Sequence, residues 1–168
     1  MTFDERKRWS DRFLTEIKSI LGTVLLTEPP VVEDIQHNTD LVVLQMSNVR
    51  IACRVRKHKY MDDYGDQFTI RRKSPNGGES ELRKVIAGWG DLFFYGFCDP
   101  TETRIEKWIV GDLKVFRVWL VEQLCLKNGV FPGDTRTNSD GTQLIAFDYK
   151  QMPSSFVMAS NSFQLTER

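Results

Sequence analysis

Residues 34–97 read DIQHNTDLVVLQMSNVRIACRVRKHKYMDDYGDQFTIRRKSPNGGESELRKVIAGWGDLFFYGF. This stretch decides the fold because its hydrophobic period changes from that of strands to that of a helix after Gly78. Runs typical of strands lie at 40–46, 49–57, 67–73 and 92–97, and a run typical of a helix lies at 80–87. A short turn at 47–48 predicts that the first two strands form an antiparallel hairpin.

The segments on either side supply further helices and strands. An amphipathic helix is predicted over 3–21, with Gly22 as its stop. Beyond the central stretch, strands are predicted at 104–110 and 143–149, a helix at 112–127, a loop at 128–142, and a peripheral tail from Met152. The predicted fold class is α/β: one domain over 1–168, with a mixed sheet whose front strands (40–73) are antiparallel and flanked by helices. Residues 104–168 form a C-terminal extension of that domain.

Composition narrows the class of protein. The chain has 168 residues, of which 40% are hydrophobic and 27% charged, and its formal net charge is zero. These values are typical of globular proteins, and any basic surface must be local. No apolar run is long enough for a membrane span, and the charged N-terminus predicts no secretion signal. The three cysteines lie in apolar runs without a CxxC pair, which predicts reduced core residues in a cytoplasmic protein.

The second strand carries a row of cations. Because side chains alternate along a strand, Arg50, Arg54 and Arg56 share one face. Arg71 and Lys73 share a face of the third strand, and Arg72 and Lys84 lie nearby in the sequence. One interpretation is a solvent-exposed face of the sheet, whose cations form ion pairs with acids from neighbouring elements. The functional interpretation is a nucleic-acid-binding surface that contacts phosphates.

Three acids are the candidates for chemistry. Asp40 opens the first strand, Glu16 borders the apolar arc of the first helix, and Glu81 falls in the first turn of the second helix. Each also has a structural explanation, since a boundary position suits a solvated acid and a helix N-terminus favours acids. Their meaning therefore depends on whether they converge. No P-loop, dinucleotide fingerprint, GxSxG or HExxH motif occurs, which excludes the best-marked enzyme classes.

The order helix, three strands, helix, strand over residues 3–97 resembles the restriction-endonuclease-like, or PD-(D/E)XK, nuclease superfamily. Thr39-Asp40 opens a strand as that superfamily's aspartate does. Arg54-Val55-Arg56 stands where the superfamily has its acid-x-lysine triplet, and Glu16 matches an extra acid that many members carry in the first helix. The resemblance implies a hydrolase that cuts DNA phosphodiesters with Mg²⁺ or Mn²⁺.

Arg54 departs from that pattern, because a cation occupies the position of a metal ligand. Some members move this acid onto the following helix, where Glu81 or Glu79 lies. The resemblance then implies that Asp40 and Glu81 hold the metal ion, with Glu16 as an outer or second-metal ligand. The metal would polarise the phosphoryl group and activate water. Arg56 would stabilise the developing charge at the lysine position, and Arg54 would contact the phosphate backbone.

Two functions stay open at this point. One is a metal-dependent nuclease, with Glu16, Asp40, Arg54, Arg56 and Glu81 at its active site. The other is a catalytically inactive nuclease-fold scaffold that binds nucleic acid or a protein partner. In both, the predicted nucleic-acid contacts come from Arg50, Arg71, Arg72, Lys73 and Lys84, with DNA favoured. A homodimer and a cytoplasmic location complete the expectations.

Overall fold

The computed structural model describes residues 3–27, 42–43, 49–75, 77–78 and 80–161. The chain divides into two compact units, Met1–Val49 and Arg50–Arg168. The predicted mixed α/β class is confirmed, with a mixed four-stranded sheet and a three-stranded sheet flanked by helices.

The first unit contains two helices where the sequence predicts one. Helix α1 spans Phe3–Asp11, and helix α2 spans Leu14–Leu25. The predicted stop at Gly22 is wrong, because α2 continues three residues further. Strand β1 (Leu26–Thr27) follows directly and pairs in antiparallel fashion with β2 (Val42–Val43). The buried apolar side chains of this unit are Ile17 and Leu21 of α2 and Phe13 in the turn before it, which repeat at the predicted helical spacing.

The four-stranded sheet of the second unit has the order β3-β5-β6-β9. Its strands are β3 (Ile51–Arg56), β5 (Leu92–Cys98), β6 (Ile105–Asp112) and β9 (Val157–Ser160). Strands β3 and β5 are parallel, with Ile51 opposite Leu92, and the remaining pairs are antiparallel. Every residue of β5 is buried, as its unbroken apolar run predicts for a central strand.

The three-stranded sheet has the order β4-β8-β7 and is antiparallel throughout. Its strands are β4 (Gln67–Lys73), β7 (Asp134–Thr137) and β8 (Gln143–Asp148). The helices of this unit are α3 (Met61–Tyr64), α4 (Glu81–Ile86) and α5 (Leu113–Leu126). Short 3₁₀ turns occur at His58–Tyr60, Tyr149–Gln151 and Ser154–Phe156.

The strand partners differ from those predicted for the front of the sheet. Strands β3 and β4 lie in different sheets: β3 pairs with β5, and β4 pairs with β8. Residues 40–41 and 44–48 of the predicted hairpin of 40–46 with 49–57 lie outside the described residues. Of its described parts, β2 pairs with β1 and β3 pairs with β5. Alternation along a strand sets which face is buried but carries little information about its partner, and that is why this prediction failed.

Aromatic rings form the centre of the second unit's core. Phe68 of β4 is fully buried, and ring centroids of five other aromatic residues lie 5.4–6.4 Å from its own. Those neighbours come from both sheets, from α5 and from a 3₁₀ turn: Phe93, Tyr95, Phe116, Phe147 and Phe156. Burying a side chain of this size contributes about 1.5–3 kcal/mol, so this cluster joins the two sheets through hydrophobic packing.

Residues 153–161 contribute to this core and to the sheet, so the peripheral position predicted for this part of the tail is wrong. Phe156 is fully buried, and β9 forms the end of the four-stranded sheet. The ring reaches Gly111 of β6, where an added Cβ would lie 2.5 Å from its Cζ atom. Glycine is therefore needed at position 111 for close approach. Strand β7, within a segment predicted to be a loop, was also missed.

The cysteines only partly follow the expectation of core positions. All three are free thiols; Cys98 is buried, whereas Cys53 and Cys125 are exposed. Burial raises the pKa of the Cys98 thiol. No helix among the described residues is both long enough and apolar enough to cross a membrane.

Candidate functional site

The predicted cation Arg54 and the predicted acid Glu81 are in direct contact. The Arg54 guanidinium donates from Nη2 to Glu81 Oε2 at 2.5 Å and from Nη1 to the Thr69 carbonyl oxygen at 2.7 Å. The two charged side chains are only 20% and 25% exposed. We call Arg54, Glu81 and the backbone groups of β4 to which they hydrogen-bond the arginine corner. It joins β3 to β4 and to the first residue of α4.

Local sequence explains why Glu81 reaches this position. Ser80 caps α4, and its side chain accepts a hydrogen bond from the Arg83 N–H at 3.2 Å. Glu81 is therefore the first helical residue, where the helix dipole favours a negative charge. Gly77 adopts a positive φ of 70°, which lets the preceding loop turn the chain back toward β4.

The Glu81 carboxylate also forms a hydrogen bond with the backbone of β4. Glu81 Oε2 accepts the Arg71 N–H at 3.0 Å. The Thr69 carbonyl and the Arg71 N–H lie two residues apart on a strand at the end of its sheet, so they point to the same edge. The ion pair thus supplies both the donor and the acceptor that a neighbouring strand would otherwise provide.

A second layer supports the corner from the core side. Thr69 is the one polar residue among the buried side chains of the described chain. Its hydroxyl lies 3.3 Å from the Tyr95 hydroxyl and 3.4 Å from Arg54 Nη1. Tyr95 belongs to β5, in the same sheet as Arg54, whereas Thr69 belongs to β4 in the other sheet. The position of Arg54 therefore depends on both sheets.

These contacts do not fit a divalent metal site at Glu81. Mg²⁺ is held by carboxylates whose negative charge is available to it, whereas the charge on Glu81 is compensated by a guanidinium. Among the residues that the structure describes, no group of three or more His, Cys, Asp or Glu side chains could hold a metal ion. Asp40 and Glu79 lie outside the described residues. Glu16 is half-buried in the first turn of α2, within the first unit.

The remaining predicted cations take different positions in the second unit. Arg50 precedes β3, and its side chain is 60% exposed. Arg71 is half-buried, and Arg72, Lys73 and Lys84 are exposed. Three of the predicted arginines are near aromatic rings: Arg50 lies 5.5 Å from the centroid of Trp89, Arg56 5.0 Å from Tyr60, and Arg72 5.2 Å from Phe131.

Sequence reasoning missed the aromatic half of these contacts. A further pair was also missed, in which the Arg136 guanidinium lies 4.1 Å from the centroid of the Tyr64 ring. The signal available in the sequence was Gly88-Trp89-Gly90, because closely spaced glycines indicate a turn, and a tryptophan within a turn is unusual. The other rings are distant in sequence from their arginines or follow them in an irregular segment.

A second cluster of charges surrounds Asp66, and we call it the Asp66 cluster. Asp66 Oδ1 accepts hydrogen bonds from Lys107 Nζ at 3.1 Å and from the Tyr149 hydroxyl at 3.0 Å, and Oδ2 contacts Lys150. Hydrogen bonds from Lys150, Lys107 and Tyr149 lower the Asp66 pKa to about 2. Burial, together with Asp66, raises the pKa of Tyr149. Asp66 lines a polar cleft of about 270 Å³ together with Asp62, Asp63 and Asp148.

In comparisons with known proteins, no family model matches this chain, and neither a curated protein nor a solved structure matches it. The resemblance to the restriction-endonuclease-like superfamily therefore stays a prediction, which rests on Thr39-Asp40, Arg54–Arg56 and Glu16.

Proposed function

We propose that this protein binds nucleic acid through the Arg50–Arg168 unit and that its arginine corner is a structural element rather than a metal site. The observation that carries the proposal is the pairing of arginines with aromatic rings at Arg50, Arg56, Arg72 and Arg136. Proteins that bind single-stranded or irregular nucleic acid combine cations for the phosphates with rings on which bases stack.

The contacts of Glu81 favour the non-catalytic one of the two predicted functions. A nuclease of the predicted type needs at least two carboxylates free to bind Mg²⁺ or Mn²⁺. Glu81 instead accepts hydrogen bonds from Arg54 and Arg71. Binding in the proposed mode requires no metal ion. We place this activity in the cytoplasm, which suits three unpaired cysteines.

Fluorescence anisotropy with labelled single-stranded and duplex DNA tests the binding. We expect the affinity to fall as salt rises from about 50 to about 200 mM, because each phosphate contact releases a counterion. Substituting Arg72, Lys73 and Lys84 together by Gln should reduce the slope of log affinity against log salt by about one for each phosphate that is no longer neutralised. Lys127→Gln, an exposed lysine just after α5, is the matched control. Binding that does not respond to salt, or no binding at low salt, would refute the proposal.

A cleavage assay with Mg²⁺ or Mn²⁺ separates the two predicted functions. We expect plasmid and single-stranded DNA to remain intact. Metal-dependent cleavage by the wild-type protein, lost in Asp40→Ala, would establish the nuclease instead. Cleavage that persists unchanged in Asp40→Ala and Glu81→Ala would come from a contaminant, and the binding measurements would then decide the proposal.

A further inference from the structure

Trp89 occupies the loop between α4 and β5 and presents its ring to solvent. Trp89 is 62% exposed, which is unusual for a large aromatic residue, and nine of the other described aromatic residues belong to the buried core cluster. An exposed indole leaves a broad apolar face in water, and such a face suits a flat ligand that can cover it. The exposure of the Trp89 ring therefore needs a functional explanation, unless the geometry of the loop requires a tryptophan at this position.

The loop holds Trp89 in a defined position. The Gly88 N–H donates to the Val85 carbonyl at 3.0 Å, and the Trp89 N–H donates to the Lys84 carbonyl at 3.0 Å. With Ala87 as the C-cap and Gly88 at a φ of 92°, these two bonds form a Schellman motif. Arg117 Nη1 donates to the Gly90 carbonyl at 3.1 Å and so fixes the far side of the loop.

The motif does not explain why the residue is a tryptophan. In a Schellman motif, the residue at the Trp89 position usually makes an apolar contact with the residue at the Lys84 position. Here that residue is an exposed lysine. A small polar residue would close the same backbone bonds, so the indole is not needed for the turn itself.

Charges beside the ring favour an anionic ligand. The Arg50 guanidinium lies 5.5 Å from the centroid of the indole, and Lys84 lies on the turn of α4 that leads into the loop. Asp91 is the nearby acid, and its Oδ2 accepts the Arg50 N–H at 2.8 Å and lies 3.7 Å from Arg50 Nε. Asp91 thereby orients Arg50 next to the ring. A flat ring with the Arg50 guanidinium beside it and Lys84 in the adjoining turn of α4 suits a nucleobase with its adjoining phosphates.

We propose that Trp89 is a stacking site for one unpaired nucleobase, with Arg50 and Lys84 contacting the phosphates on either side. This inference rests on the proposed nucleic-acid binding and adds that the preferred ligand is single-stranded. Bases inside a duplex are already stacked on their neighbours, so their faces are not available to an indole.

The test compares Trp89→Ala with Trp89→Phe on a labelled single-stranded DNA oligonucleotide. Alanine should weaken binding by roughly 5- to 150-fold, the range found when one stacking side chain is truncated. Phenylalanine should retain most of the affinity because it keeps a ring. Leu126→Ala, which truncates another exposed apolar side chain, should leave the affinity unchanged. Thermal unfolding of each variant checks that the fold is intact.

An oligonucleotide of the same length and charge that lacks its bases separates stacking from charge. We expect wild-type protein to bind it more weakly than the normal oligonucleotide, with no further loss in Trp89→Ala. Salt-dependent binding that is equal in wild type and Trp89→Ala would overturn this inference and leave the proposed function standing. No binding of any nucleic acid would overturn both. A dimer in sedimentation that Trp89→Ala dissociates, with unchanged DNA affinity, would assign the ring to a second copy of the chain and overturn the inference.

Discussion

The arginine corner and the Asp66 cluster each pair a carboxylate with a cation, but the two pairings lie in different surroundings. In the corner, Arg54 and Glu81 are 20% and 25% exposed, and both bond to the backbone of β4. In the Asp66 cluster, the acid is 40% exposed and Lys150 is 57% exposed, and the carboxylate bonds to the side chains of Lys107, Tyr149 and Lys150. We infer that an ion pair stabilises this fold most where it also completes backbone hydrogen bonding. The exposed cluster is screened by water and salt.

The largest expected effect comes from breaking the corner. Glu81→Leu leaves Arg54 partly buried without its partner and removes the acceptor of the Arg71 N–H. We expect a loss of about 2–3 kcal/mol in the free energy of unfolding, measured by urea denaturation, since breaking a buried pair is costly. Glu81→Gln should lose less, because an amide oxygen still accepts that N–H.

The control for Glu81→Leu is Glu106→Leu, which removes an acid that is 44% exposed and lies 3.1 Å from His58 Nδ1. Its effect should stay within about 0.5 kcal/mol. If Glu81→Leu were equally mild, the distinction between the two kinds of ion pair would be wrong. A double-mutant cycle of Arg54→Met, Glu81→Leu and their combination measures the coupling energy between the two side chains. We expect this energy to be non-zero because the residues are in contact.

Thr69→Val tests the layer behind the corner and should have a smaller effect. Valine keeps the shape of threonine but leaves the buried Tyr95 hydroxyl without its partner. We expect a loss of about 1–2 kcal/mol, from the same denaturation experiment. Thr135→Val, on an exposed position of β7, is the matched control and should be close to neutral. A neutral Thr69→Val would mean that the hydroxyl pair does not support Arg54.

The Asp66 cluster should show the smallest effect at neutral pH and a distinct dependence on acid. Because its folded-state pKa of about 2 is below the usual value of 3.8, ionised Asp66 stabilises the fold above about pH 4. That stability is lost as the pH falls from about 4 toward 2. At pH 7 the free energies of unfolding of wild type and Asp66→Asn should differ by less than about 1 kcal/mol. This difference should shrink as the pH falls from about 4 toward 2.

Lys150→Met removes the partner that lowers the Asp66 pKa most and should flatten this pH dependence. A wild-type and Asp66→Asn difference that stays constant from pH 7 to pH 2 would contradict the lowered pKa. A difference as large as that of Glu81→Leu would contradict the comparison between the two clusters.

Sequence alone predicts the elements of this fold better than their arrangement. The apolar run at Leu92–Cys98 marks a central strand, and alternation marks Gln67–Lys73, because burial imposes both patterns locally. The partner of β4 is β8, far along the chain, and no local pattern encodes that choice. Phe156 is likewise one ring in a polar segment, and its burial depends on the space that Gly111 leaves in β6.

For the candidate site, too, the sequence predicts individual residues better than the contacts between them. Residue types predict that Arg54 and Glu81 matter, since a cation at a ligand position and an acid in a first helical turn are visible in the sequence. Their contact is not predictable, because it joins residues from a strand of one sheet and a helix that packs on the other. Trp89 was missed because an exposed aromatic residue leaves no periodic signal.

The order of strand pairing has a consequence for how the chain folds. Strands β5 and β6 are neighbours in sequence and can pair early, with Cys98 opposite Ile105. Strand β4 has to wait, because its partner is not synthesised until residues 143–148, where Asp148 lies opposite Gln67. Contacts between such distant residues slow folding, since a long loop must close before they form. During that interval β4 has no strand to pair with, so we expect the nascent chain to expose an unpaired strand and to depend on chaperones until β8 has emerged from the ribosome.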